Sequence, residues 1–153
     1  MQVILDNKKA RFNYETIHEF DAGIELRGLE VKSLREGQGS LIGSHVTVRG
    51  GETFLLNALI SPYQEKNTPK DYEPRRNRRL LVTKKEMAIL AGYEKKKGLT
   101  IIPLLMYNKE RKIKVRLAVV RGKKLYDKRE DLKKRDTERE MRRTLKKNGD
   151  APA

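Results

Sequence analysis

The chain has 153 residues, no cysteine, and 36 Lys/Arg against 21 Asp/Glu, a formal net charge of +15. That length suits one domain with its own core, and the missing cysteines exclude disulfides and thiolate metal sites, which fits a reducing cytoplasm. So basic a chain points to a polyanionic partner bound through counterion release, whereas no stretch approaches the ~20 apolar residues of a membrane-spanning helix.

The opening residues are mostly polar. Val3-Ile4-Leu5 is far too short for a secretory apolar region, and Asn7-Lys8-Lys9-Ala10-Arg11 forms a basic lead-in. Tyr14 to Phe20 and Gly23 to Leu26 look like two extended pieces around a kink at Asp21-Ala22-Gly23. Gly28 to Gly37 predicts a short helix, with Val31 and Leu34 on one face and Gly37 supplying the left-handed residue past its end. Val46 to Arg49 and Thr53 to Ala58 flank Gly50-Gly51, a two-residue hairpin signal.

A polar loop over Gln64 to Pro74 leads into Arg75-Arg76-Asn77-Arg78-Arg79, whose side chains are expected to fan over a rim, and then into the apolar Leu80-Leu81-Val82. Thr83 and Glu86 have capping-box spacing. The helix they begin carries Met87, Leu90 and Ala91 on one face, and Gly92 is expected to interrupt it. Lys95-Lys96-Lys97 complements a helix C-terminus before Gly98. Leu99 to Tyr107 is nearly all apolar, with Pro103 marking an edge or a bulge. From Lys112 to Arg121, Ile113, Val115, Leu117 and Val119 alternate with Lys114, Arg116, Ala118 and Val120. One face is therefore core and the other begins basic.

From Arg121 to Lys147 there are 13 Lys/Arg and 6 Asp/Glu, with only Leu125, Leu132, Met141 and Leu145 as large aliphatics. The pairs Glu130→Lys134, Asp131→Arg135 and Glu138→Arg142 support a helix at ~0.2–0.5 kcal/mol each, which cannot offset ordering costs of ~1–2 kcal/mol per residue. The tail is expected to be disordered when free and helical on an anionic partner. The whole predicts a mainly β body at residues 1–121, a small closed antiparallel barrel with flanking short helices, and a basic tail at 122–153. A barrel with basic strands is a nucleic-acid platform, and the few aromatics favour folded RNA read by shape and backbone.

Catalytic chemistry has little footing. His18 and His45 have no partner at metal-ligand spacing, and no phosphate-cradling loop, nucleophile elbow or zinc motif occurs. Glu15, Glu19, Asp21 and Glu25 form a loose carboxylate cluster that fits a metal-dependent nuclease on paper, but neighbouring cations favour ion pairing. No enzyme activity and no cofactor or metal is expected.

Gly28-Leu29-Glu30-Val31-Lys32-Ser33-Leu34-Arg35 and Gly122-Lys123-Lys124-Leu125-Tyr126-Asp127-Lys128-Arg129 resemble motifs of the SsrA-binding protein (SmpB) family. Asn7 to Arg11, Tyr14, Ala22-Gly23-Ile24, Pro62 and Arg78-Arg79-Leu80-Leu81 extend the resemblance along nearly the whole chain. It implies an oligonucleotide-barrel-like (OB-like) fold and a cytoplasmic protein, monomeric when free, that binds transfer-messenger RNA (tmRNA, SsrA). Such a protein delivers that RNA to stalled ribosomes in trans-translation, the barrel filling the volume of the missing anticodon stem. Asn7, Asp21, Leu81 and Lys114 fall at the RNA-contacting face, with Tyr14, Glu30 and Arg35 nearby. Lys8, Arg11 and Lys32 lie in the same matched stretches, and Arg76 and Arg78 belong to the basic run. At position 21 most relatives carry Glu, so Asp21 keeps the acceptor but loses reach. The resemblance places Gly122, Lys123, Lys124, Tyr126, Asp127, Lys128 and Arg129 in the small-subunit decoding centre. Tyr126 stands where relatives have His or Tyr. Lys133, Lys134, Arg135, Arg142 and Arg143 then line the vacant message channel. The other reading is a ribosomal or general structured-RNA-binding barrel protein.

Overall fold

The structure, a computed structural model, describes residues 1–122. The tail positions named above from Lys123 to Arg143 lie outside the described residues. The described elements are β1 (Gln2–Asp6), α1 (Lys8–Asn13), β2 (Tyr14–Ile24), α2 (Gly28–Arg35), β3 (Gly39–Ser40) and β4 (His45–Arg49). They continue with β5 (Glu52–Leu56), β6 (Leu59–Ile60), β7 (Arg78–Leu81), α3 (Lys84–Glu94), β8 (Leu99–Lys109) and β9 (Lys112–Gly122). The fold is mainly β, with three α-helices among the described residues.

Seven strands form one antiparallel sheet in the order β1-β8-β9-β2-β7-β5-β4, and β3 pairs separately with β6. The alternation read in residues 112–121 sets the long central hairpin. Ile113, Val115, Leu117 and Val119 all enter the main core, with Phe20, Leu55, Leu80, Leu90, Ile101 and Met106. Burying each such side chain is worth about 1.5–3 kcal/mol. The opposite face starts with Lys114 and Arg116 but ends in Ala118 and Val120, which pack with Ile102 and Leu104 beneath Ala10 of α1. α1 was not apparent in the polar opening of the sequence. It forms because this second apolar patch needs a cover.

β2 runs unbroken from Tyr14 to Ile24, without the expected kink, because β9 pairs with it along its length and Ala22 is held opposite Val115. Its irregularity falls earlier, between Thr16 and His18. Pro103 does mark a register shift in β8, as a residue with no amide to donate should. α3 continues through Gly92, since the Thr83–Glu86 capping box starts it and fully buried Leu90 anchors it. Gly37 at φ +72° ends α2 by donating its amide to the Leu34 carbonyl at 2.8 Å. Gly50 and Gly51, at φ +58° and +73°, make the expected β4–β5 hairpin.

The expected closed barrel is not found. β1 and β4 are the two ends of the sheet order. β4 nevertheless packs against β8, and α3 lies against both. The Glu94 carboxylate accepts the Val48 amide at 2.8 Å and the Thr47 hydroxyl at 2.7 Å. A helix side chain thus takes an edge-strand donor that a neighbouring strand would take in a closed barrel.

Candidate nucleic-acid interface

The basic run before β7 does not fan outward as a unit. Strand alternation turns Arg78 and Leu80 inward and leaves Arg79 and Leu81 outside. Arg78 is fully buried, its Nε donating to Glu30 Oε2 at 2.7 Å and its terminal nitrogens to the Ala58 and Pro74 carbonyls at 2.8 and 3.0 Å. Glu30 Oε1 accepts Arg76 Nη2 at 2.6 Å and the Arg27 amide at 2.8 Å. Burial alone would raise the Glu30 carboxyl. The hydrogen bonds from Arg76, the Arg27 amide and Arg78 reverse that and hold it below its ordinary value. Arg79 pairs with Glu25 and Glu52, and Arg75 bonds Asn57. Glu30 and Arg78, both among the sequence candidates, are therefore interior groups that fix α2 to β7.

What they fix is a groove. Register sets Leu81, Gly23 and Lys114 side by side across β7, β2 and β9. Directly paired residues share a face of the sheet, and here it is the outer one: Leu81 is 46% exposed and Lys114 is half-buried. Gly23 leaves the slot between them bare, and a Cβ there would lie 3.2 Å from Leu81 Cβ. Ile24 and Leu26 continue the floor, while α2 supplies Val31 and Arg35, the β8–β9 turn Arg111 and the start of β9 Lys112. The cavity is about 250 Å³. Among the described residues, Arg35, Arg111, Lys112 and Lys114 have no carboxylate partner. Apolar floor and unpaired cations together suit a nucleotide backbone with a sugar or base edge against it.

Beside the groove, Asp21 lies opposite Arg116, 3.2 Å from its Nε, and the guanidinium sits 5.6 Å from the Tyr107 ring centre. The Asp21 carboxylate pushes Arg116 further up, and burial followed by Asp21 raises the Tyr107 hydroxyl. Of the carboxylate cluster, Glu15 is tied to Arg121 at 2.8 Å, Asp21 to Arg116 and Glu25 to Arg79. No group of three or more His, Asp or Glu fit to hold a metal occurs among the described residues.

The other candidates lie elsewhere. Asn7 is buried and donates its side-chain amide to the Pro103 and Leu41 carbonyls at 3.0 and 3.4 Å, pinning the start of α1. It lines, with Tyr14 and His45, a separate depression of about 430 Å³. Lys8 and Arg11 are exposed on α1, Arg11 lying 3.5 Å from Asp6. Lys32 borders a third depression with Leu29 and Tyr72. Arg111 was not among the sequence candidates, and Lys112 entered the sequence reading only as the basic start of the last strand.

No helix among the described residues is long and apolar enough to cross a membrane. The family model described as "SmpB protein" matches residues 4–147. The SsrA-binding protein of Trichodesmium erythraeum (strain IMS101) is 48% identical over 145 residues, covering 95% of this chain and 93% of the relative. That of Chelativorans sp. (strain BNC1) is 51% identical over 147 residues, covering 95% and 94%. A chain in the solved structure described as "tmRNA-SmpB: a journey to the center of the bacterial ribosome" aligns with a TM-score of 0.67 at 43% identity, covering 78% of this chain and 84% of that one.

Proposed function

The chain belongs to the SmpB family, and from that we propose that it is an SsrA-binding protein: it binds tmRNA and acts with it on the ribosome in trans-translation. The observation that carries this reading is the Leu81–Gly23–Lys114 row with Arg35, Arg111 and Lys112 around it, all four cations without a carboxylate partner among the described residues. A tRNA-like RNA offers phosphates for those cations and sugar edges for Leu81. Asp21, oriented by Arg116, supplies an acceptor for a ribose hydroxyl or base amine. Glu30, Arg76 and Arg78 act by positioning, Asn7 by holding α1, and Lys8, Arg11 and Lys32 give the body a broader basic skirt, with Tyr14 beside α1. This is a binding role, without catalysis, and its setting is the cytoplasm.

In the same reading the curled sheet, with β4 against β8 and α3 along that seam, is an OB-like barrel. Residues 1–121 are the RNA-binding body, which fills the volume of the missing anticodon stem. Residues 122–153 are the ribosomal part: Gly122 to Arg129, with Tyr126 as a stacking group, enter the decoding centre, and the later cations follow the empty message channel. An occupying message excludes the tail sterically, so translating ribosomes are spared without any sequence being read. The test is to purify the chain from cell extract and sequence the RNA that comes with it. tmRNA as the dominant species supports the reading, whereas an unselective mixture of structured RNAs contradicts it.

A further inference from the structure

The turn between β8 and β9 holds two non-glycine residues in the left-handed region, Glu110 at φ +50° and Arg111 at φ +68°. A two-residue hairpin turn of this kind is normally built from Asn and Gly, because a Cβ is strained there. Strain kept in a folded chain points to a use for the strained side chain. Arg111 is exposed, has no carboxylate partner among the described residues, and borders two depressions at once. One is the Leu81–Lys114 groove. The other, about 200 Å³, is lined by Gln2, Ile4, Arg35, Asn108 and Arg111. Arg35 borders both as well, and its Nη2 lies 3.4 Å from the Arg111 carbonyl. In the second depression Asn108 Oδ1 is buried with no hydrogen-bond partner among the described residues.

We propose that Arg35 and Arg111 form a two-guanidinium clamp for a phosphodiester of the bound RNA, carrying the strand from the Lys114 groove across the turn into the depression beside β1. This rests on the RNA-binding reading above and extends its footprint. Guanidinium forks match phosphate oxygens in pairs, which a point charge such as Lys112 does not. Glycine at 111 would relax the turn but could not make the contact.

The full chain is compared with Arg111→Gly and Glu110→Gly, each measured for thermal stability and for affinity to the tRNA-like domain of tmRNA over a salt series. Both variants relax the same turn, so neither should melt below the parent. Arg111→Gly is expected to lose about tenfold in affinity and to lower the log–log salt slope by about one. Glu110→Gly should keep the parent's affinity or exceed it. Unchanged affinity and slope in Arg111→Gly overturn the clamp, as does equal weakening in Glu110→Gly. Failure of the parent itself to bind the RNA overturns the function and the clamp with it.

Discussion

Glu30 and Arg78 form an ion pair with neither side chain exposed, 2.7 Å from oxygen to nitrogen. The pair joins α2 to β7, the two elements that carry Arg35 and Leu81 into the groove. Leu81 lies three residues beyond Arg78 on β7, and Arg35 ends the helix that carries Glu30. The geometry of the surface groove is thus set by charges in the interior.

Glu30→Gln should therefore leave Arg78 buried beside a neutral partner and lower stability by about 3–5 kcal/mol. Urea unfolding followed by circular dichroism measures it. A loss of less than about 1 kcal/mol would mean that water or rearrangement satisfies Arg78, and the positioning role would fall.

Glu30 also sets an acid limit. Its carboxyl is depressed in the fold, so its contribution is present above the unfolded value of 4.5 and is lost as pH falls below it. Tyr72 and Tyr107 set an alkaline limit, both raised chiefly by burial. Their contribution is present below pH 10.0, the unfolded value, and declines as pH climbs past it. Melting temperature against pH should fall on both sides, and Glu30→Gln should flatten the acid side alone.

Lys114→Glu should cut affinity for the tRNA-like domain of tmRNA by roughly tenfold or more, equivalent to at least about 1.4 kcal/mol, with the melting temperature nearly unchanged. Ile113 and Val115 carry the packing on either side of it. Unaltered affinity in gel-shift titrations would remove Lys114 from the interface.

Gly23→Val tests the bare slot between Leu81 and Lys114. The new side chain would crowd Leu81, where even a Cβ comes to 3.2 Å. Affinity should drop roughly tenfold while stability moves by about 1 kcal/mol, the usual range of strand preferences. Undiminished binding would show that RNA does not enter the slot.

How far the fold could be read from the sequence depended on how local its cause was. The β9 alternation, the Gly50-Gly51 hairpin and the Thr83–Glu86 box were legible because each is fixed by neighbours in the chain. α1 was not, since only the distant Ala118 and Val120 give its Ala10 something to cover. Arg78 looked solvated within a basic run. Yet Leu80 pointing inward already implied, by a period of two, that Arg78 points inward as well. The groove itself depends on register across three strands, which no single stretch encodes. Lys114 and Leu81 could be singled out by resemblance, whereas Gly23 as the gap between them and Arg111 as its neighbour needed the sheet.

The central claim is that the body binds tmRNA while residues after Arg121 act on the ribosome. Peptide-tag addition to stalled ribosomes, with tmRNA present and the chain supplied whole or ending at Arg121, tests it most directly. The whole chain should support tagging, and Tyr126→Ala should reduce it more than loss of any one distal lysine, since a stacking contact is worth ~1–3 kcal/mol. The shortened chain should bind tmRNA almost as tightly yet give no tag. Full tagging by the shortened chain, or tagging that proceeds equally with no chain added, would contradict the account.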